Sequence, residues 1–356
     1  VRFIANVFKG ILALFMVVGV VFAGVFIFLW MSQTLDASTP DTPKEPVTFT
    51  IEPGQSVSQI ADNLQSAGII DNTLVFKARL KLKGAESSLK AGKFLLTPGT
   101  DVDELITTLS TTPKEIGIKF TIIEGMRIEE IAERLDSRGV VSITRFLELA
   151  GTPEGVATFQ NDFLVTSGRP ADQGLEGYLF PDTYEIKHQD GDNSEEIIQL
   201  MLNTMIGKFT PEMLQRIDEK QRNVHQVLTI ASIVQREGQV KEELPRIAAV
   251  FWNRLDIGMS LDADPTTQYA LGRPGDWWAP LKIAPRDVDH PYNTYGFAGL
   301  PPGPICNPGL EAILAAVTPA ESTDLFFVAK CDGSGEHMFT ESFDEHQRNI
   351  VECNGR

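Results

Sequence analysis

The stretch Val227-Leu-Thr-Ile-Ala-Ser-Ile-Val-Gln-Arg-Glu-Gly238 begins as a nearly continuous apolar helix and ends on a carboxylic acid. Ile230, Ile233, Val234 and Glu237 stand at i, i+3, i+4 and i+7, so Glu237 projects from the face that carries the aliphatic side chains. A carboxyl in that position loses hydration. Its neutral form is favoured and its pKa rises, which suits a general acid near neutral pH. Gly238 lets the chain turn away and leaves the helix end open to a cleft. The same pattern also fits a solvated glutamate at a fraying helix end. Gln235 lies off the apolar face and reads as a surface or supporting residue.

Working outward, residues 244–255 form the next expected helix, with Ile247, Ala248, Phe251 and Leu255 on one face and Pro245 in its first turn. Two stretches follow, Asp264-Pro-Thr-Thr-Gln-Tyr-Ala-Leu-Gly272 and Tyr292-Asn-Thr-Tyr-Gly-Phe-Ala-Gly-Leu-Pro-Pro-Gly-Pro-Ile-Cys-Asn-Pro-Gly309. The second is rich in Gly, Pro, Asn, Thr and Tyr. Long loops of that composition hold hydroxyl, amide and aromatic groups at rigid positions, which suits sugars. Upstream, Leu175-Glu-Gly-Tyr-Leu-Phe-Pro-Asp-Thr-Tyr184 looks like a turn leading into a strand, and 196–209 and 211–221 read as helices.

Nearer the start, one frame recurs three times. Phe49-Thr-Ile-Glu-Pro-Gly-Gln-Ser-Val-Ser-Gln-Ile-Ala-Asp-Asn-Leu64 aligns with the segments Phe94 to Leu109 and Phe120 to Leu135. Each is an apolar strand, a glycine turn (Gly54, Gly99, Gly125) and a helix with four apolar residues on one face. Ser56 and Asp101 are the expected N-caps of the first two helices. Units of this kind resemble LysM-like modules, which bind N-acetylglucosamine polymers; a generic α+β spacer fits the same frame.

Residues Ile11 to Met31 carry no charged side chain, and about 20 apolar residues in helix span a bilayer core. Arg2 and Lys9 precede the run, and Asp36 and Asp41 follow it. That charge order predicts a single-pass anchor with the rest of the chain outside the cytoplasm. The proline-rich stretch 32–46 is the expected tether. A net charge of -17 over 356 residues excludes nucleic acid as the main partner. The three cysteines, Cys306, Cys331 and Cys353, allow one disulfide, and Cys331–Cys353 with Cys306 free is the expected pairing. Asp287, Asp289 and His290 read as solvated loop charges, and neither a metal nor a cofactor is assigned.

Several segments together look like the endolytic murein transglycosylases of the MltG/YceG-like family. They are Leu175-Glu-Gly with Phe180-Pro-Asp-Thr-Tyr184, Ala231-Ser-Ile-Val-Gln-Arg-Glu237, Phe251-Trp-Asn-Arg-Leu255, Asp264-Pro-Thr266, Tyr292-Asn-Thr-Tyr295, Gly299-Leu-Pro-Pro-Gly303 and Asn307-Pro-Gly309. The resemblance covers most of the chain beyond the tether. It implies an α+β protein with a transmembrane helix (11–31), a LysM-like α/β region (47–142) and a mixed α+β catalytic domain (143–356) with a lysozyme-like active-site arrangement. The implied reaction is non-hydrolytic cleavage between N-acetylmuramic acid and N-acetylglucosamine, leaving 1,6-anhydro ends and terminating strand elongation. A hydrolytic muramidase and a non-catalytic peptidoglycan-binding scaffold are the alternatives.

The family's catalytic glutamate is the second acid of an Ala-Ser-Ile-x-Glu-x-Glu pattern, which falls on Glu237; the first position is Gln235 here. Glu176 is the nearest candidate for a supporting acid. Asp264, Thr266, Gln268, Tyr292, Asn293, Thr294 and Tyr295 are the expected sugar-binding residues. The implied location is the bacterial inner membrane with the catalytic domain in the periplasm. The implied partners are peptidoglycan strands and, further, peptidoglycan synthases.

Overall fold

The computed structural model describes residues 46–111, 117–159, 161–187 and 191–354. The expected anchor at 11–31 lies outside them, and no described helix is long and apolar enough to cross a membrane. The chain divides into two compact units between Gly117 and Ile118.

In the first unit, strand β1 (Val47–Ile51) is followed by helices α1 (Val57–Ser66) and α2 (Thr73–Leu82), strand β2 (Gly92–Leu96) and helix α3 (Val102–Ser110). β1 and β2 pair antiparallel with Phe49 opposite Phe94. Alternation along each strand buries Phe49, Ile51, Phe94 and Leu96 on one face. The helices close over that face with Ile60, Leu64, Phe76, Leu80 and Leu105. Ser56 and Asp101 cap α1 and α3 as expected: the Ser56 hydroxyl accepts from the Gln59 N–H, and the Asp101 carboxylate accepts from Asp103 and Glu104. α2 has no counterpart in the repeat. It is capped by Asn72 and buries only Phe76 and Leu80, a face too sparse to announce itself as periodic.

The third copy of the repeat belongs to the second unit. Its strand, β3 (Gly117–Thr121), joins β4 (Thr183–Lys187) in a two-stranded sheet. Its helix, α4 (Ile128–Asp136), buries Ile128, Ile131, Ala132 and Leu135 in the larger core. The third copy of the frame is thus separated from the first two by the boundary between the units. A shared local frame does not dictate which core receives the apolar face. The turn is the same in all three copies, with φ of +84°, +87° and +82° at Gly54, Gly99 and Gly125, a region that disfavours any residue with a Cβ.

The rest of the second unit is mostly helical. Helices α5 (Ile143–Gly151), α6 (Pro153–Val156) and α7 (Asp162–Thr166) precede β4. After it come α8 (Ser194–Lys208), α9 (Pro211–Glu219), α10 (Val224–Glu237), α11 (Leu244–Asp256), α12 (Asp264–Leu271) and α13 (Leu310–Val317). A hairpin of β5 (Phe326–Ala329) and β6 (His337–Thr340) and a last helix, α14 (Phe343–Asn354), complete it. α10 is the central element, packing on α9, α11, α12 and α13. Every residue from Val227 to Val234 is buried, which is why the stretch is almost wholly apolar; its two hydroxyls, Thr229 and Ser232, donate to the helix's own carbonyls of His225 and Thr229. The Cys331–Cys353 disulfide is present, with Cα atoms 5.2 Å apart, and Cys306 is free and buried.

Candidate active site

Helix α10 delivers its terminal carboxyl to a cleft of about 380 Å³. Ile230, Ile233 and Val234 are fully buried on the face that Glu237 extends. Gly238, at the C-cap, turns the chain against Leu244; a Cβ there would stand 2.2 Å from a Leu244 methyl. The helix end is thereby held closely at the residue that follows Glu237.

One wall of the cleft is polar, with Glu237, Arg254, Asp262, Asp264 and Tyr295; the other is largely aromatic, with Phe326, Phe327, His337, Phe343 and His346. Desolvation raises the Glu237 pKa to about 7, helped by the negative charge of Asp264 and opposed by Arg254 and Arg236. The carboxyl is thus poised between its two forms at neutral pH. Asp264 opens α12, is exposed, and accepts a 2.7 Å hydrogen bond from the Tyr295 hydroxyl. Asp262 has a left-handed backbone, φ +45°, a region that aspartate and asparagine enter more readily than other residues with a Cβ. Its N–H donates to the Thr294 carbonyl and its carboxylate accepts from the Ser260 hydroxyl. Arg254 is 8% exposed and donates from Nε to the Leu325 carbonyl at 2.6 Å and from Nη1 to the Leu261 carbonyl at 2.7 Å. It joins the two walls and supplies a cation beside Glu237.

The other expected site residues are placed elsewhere. Thr266 and Thr294 are fully buried, their hydroxyls 2.9 Å apart; Thr266 donates to the Ala263 carbonyl, and Thr294 accepts from the Ala263 N–H. Asn293, 1% exposed, accepts from the Thr267 hydroxyl and donates to the Pro285 and Val288 carbonyls. Gln268 donates to the Trp278 and Ala279 carbonyls. These side chains bond within the neighbouring loops, and none of them is among the residues lining the cleft. Tyr292 packs on Tyr269, ring centroids 4.7 Å apart, and its hydroxyl donates to Gln173.

Glu176 does not line the cleft. Its Oε2 accepts from the Ile128 N–H at 3.2 Å and its Oε1 from the Asn307 side-chain amide at 2.9 Å. It therefore ties the start of α4 to the loop before α13. The carboxylate beside Glu237 is Asp264, expected from the sequence only as a sugar-binding residue; 26 residues of chain separate the two. Gln235 accepts from the Gly309 N–H at 2.9 Å, so the side chain two residues before Glu237 is spent on the same loop.

Sequence reasoning assigned no role to Arg254, Asp262, His337, Phe343 or His346. Phe343 and His346 stand at i and i+3 of a helix, a legible spacing, but nothing local says that the helix folds back over Glu237.

The two raised carboxyls have a measurable consequence. Burial, then the charge of Glu129, raises the Glu176 pKa to about 8, and Glu237 stands at about 7, against 4.5 for both in the unfolded chain. The folded state therefore holds protons that the unfolded state releases above 4.5. Below that pH both states are protonated and the contribution is fully present; as pH rises through 7 and 8 it is lost. Urea denaturation is expected to give falling stability from pH 5 to 8, and Glu176→Gln is expected to flatten most of that slope. An unchanged slope in the variant would mean that Glu176 is ionised throughout.

A partly enclosed carboxyl balanced between acid and base at the end of a buried helix, in an open cleft, is the arrangement of an acid–base enzyme. A model of the YceG-like family matches residues 49–352. The endolytic murein transglycosylase of Bacillus subtilis is 32% identical over 331 residues, covering 90% of this chain and 88% of that protein. The endolytic murein transglycosylase of Streptococcus pneumoniae is 32% identical over 327 residues, covering 87% of this chain; the chain spans 58% of that relative's length. The crystal structure of a YceG-like protein from Listeria monocytogenes matches with a TM-score of 0.55 and 32% identity, covering 86% of this chain and 99% of that one. The chain belongs to the YceG-like family.

Proposed function

We propose that this protein is a lytic transglycosylase acting on peptidoglycan, with Glu237 as its single acid and base. The observation that carries the reading is the Glu237 carboxyl, raised to about 7 in the cleft, in a family whose named relatives are endolytic murein transglycosylases. Protonated Glu237 gives its proton to the oxygen linking N-acetylmuramic acid to N-acetylglucosamine, and the bond from that oxygen to the anomeric carbon breaks. The resulting carboxylate takes the proton of the muramic 6-hydroxyl as its oxygen closes on the same carbon. The acid is regenerated, no water is consumed, and the new end is a 1,6-anhydro sugar. Arg254 and Arg236 stabilise the intervening carboxylate, and Asp264 favours its return to the acid form.

Asp264 supports a second reading. A carboxylate beside the acid could activate water and make the enzyme a hydrolytic muramidase, as in two-carboxylate glycosidases. Mass spectrometry of purified glycan strands after digestion separates the two. Anhydro ends, 18 Da lighter than reducing ends by the mass of about one water, are expected; reducing ends alone would replace the first reading with the second.

The same reading extends to the rest of the chain. The antiparallel βααβ order of residues 47–96 supports a LysM-like glycan-binding module. The uncharged run 11–31 supports an inner-membrane anchor that holds the catalytic unit in the periplasm, where it would meet nascent strands beside peptidoglycan synthases and end their elongation. Protease added to intact spheroplasts is expected to digest the catalytic unit; its protection would reverse the topology.

A further inference from the structure

The aromatic wall of the cleft has a feature that the proton chemistry does not use. Phe343 is 54% exposed, the one exposed aromatic side chain among the described residues. It opens α14 and lies against Phe326, ring centroids 5.6 Å apart, within the lining of the Glu237 cleft. One helical turn on, the half-buried His346 stacks on Phe326 at 5.2 Å, its Nδ1 buried and without a hydrogen-bond partner among the described residues. Burial, then the Arg254 charge, holds the imidazole below its ordinary pKa, so the ring is neutral near pH 7. An exposed aromatic face continued by a neutral imidazole stacked on the same ring offers an extended apolar plane. A pyranose has the matching part, an apolar C–H face.

The helix that carries this shelf is lightly held. α14 packs mainly on β5 and β6, and most of its residues are exposed. The Cys331–Cys353 disulfide joins its last turn to the chain just after β5. The bridge contributes nothing to the core beneath α10, but it restricts where Phe343 and His346 can sit. Chain-entropy arguments assign such a cross-link its effect through the freedom it removes.

We propose that α14 is a glycan-binding wall of the catalytic cleft: Phe343 and His346 receive a sugar ring of the bound strand, and the Cys331–Cys353 disulfide holds them in register with Glu237. This rests on the reading of the cleft as a peptidoglycan site. Phe343 and His346 are substrate-binding residues, and the two cysteines position them.

The test uses the full-length protein and purified glycan strands. Affinity is measured by titration in the Glu237→Gln background, and kcat and KM are measured in the otherwise native enzyme. Phe343→Ala is expected to weaken binding about tenfold, the scale of one lost aromatic contact, and to raise KM by a similar factor with kcat nearly unchanged. Phe343→Trp, which restores a ring, is expected to recover most of it. Cys353→Ser, or reduction of the native protein, is expected to shift KM in the same direction by a smaller factor. Unaltered affinity in Phe343→Ala overturns the proposal. So does an equal loss in the Ala and Trp variants accompanied by a lower melting temperature, which would make Phe343 a packing residue. Strands that bind Phe343-dependently without being cleaved would refute the catalytic reading and uphold the shelf; strands that do not bind at all would refute both.

Discussion

Replacing Glu237 by Gln is expected to cost the enzyme at least about 10²–10⁴-fold in turnover, the range for loss of general acid catalysis alone. In the proposed mechanism the residue serves twice, so the loss should fall at or beyond the upper end. Gln is nearly isosteric with a protonated Glu, and the aliphatic residues behind it, Ile233 and Val234, are fully buried and untouched by the change. The fold and glycan binding should therefore survive. Gln235→Ala is the informative comparison. It removes the bond from the Gly309 N–H, about 1 kcal/mol for a neutral pair, and leaves the proton donor in place. Circular dichroism on both variants and chromatography of anhydro-ended products decide the matter. Near-native cleavage by the Glu237 variant, or an inert Gln235 variant beside an active Glu237 one, would move the active site elsewhere. In the native enzyme, cleavage is expected to decline as pH rises above about 7, because the first step needs the protonated acid.

The second large effect concerns Arg254. Arg254→Ala strands the Leu325 and Leu261 carbonyls. Each acceptor left without its donor costs about 1–3 kcal/mol, so a loss of roughly 2–6 kcal/mol is expected, a drop of at least about 4 °C in the melting temperature of a unit this size. The electrostatic sign is independent of that loss. Arg254 lowers the Glu237 pKa, so removing it should carry the alkaline limb of the pH–rate profile upward. Arg254→Lys keeps a charge but cannot bond both carbonyls in the same way; it should melt between the two and move the pH profile less. A melting temperature within about 2 °C of native in the Ala variant, under 1 kcal/mol on the same scale, would show that Arg254 is not the brace between the walls.

The glycan shelf and the brace meet at one place. Arg254 lies over Phe326 at 5.2 Å, and Phe326 in turn backs both Phe343 and His346. Loss of Arg254 therefore bears on proton transfer and sugar binding together, whereas loss of Phe343 bears on binding alone. Measuring kcat and KM separately for the two variants separates the walls functionally.

Much of this protein is written in local pattern. The i, i+3, i+4, i+7 spacing of Ile230, Ile233, Val234 and Glu237 is a property of any helix, so it placed an acid on a buried face before any neighbour was known. Gly54, Gly99 and Gly125 announced their turns because φ near +85° is a steric matter for one residue. Ser56 and Asp101 announced their caps because the groups they satisfy lie within three residues. Tertiary structure decided what depends on groups distant in sequence. Asp264 rather than Glu176 stands by Glu237, because the loops between them pack as they do. Thr266, Asn293 and Thr294 look like sugar ligands by type, yet they bond to the backbone of neighbouring loops, and composition carries no direction for a side chain. The third strand–turn–helix copy repeats the local signal of the first two but joins another core. An amphipathic face specifies that it will be buried; only the packed chain specifies against what.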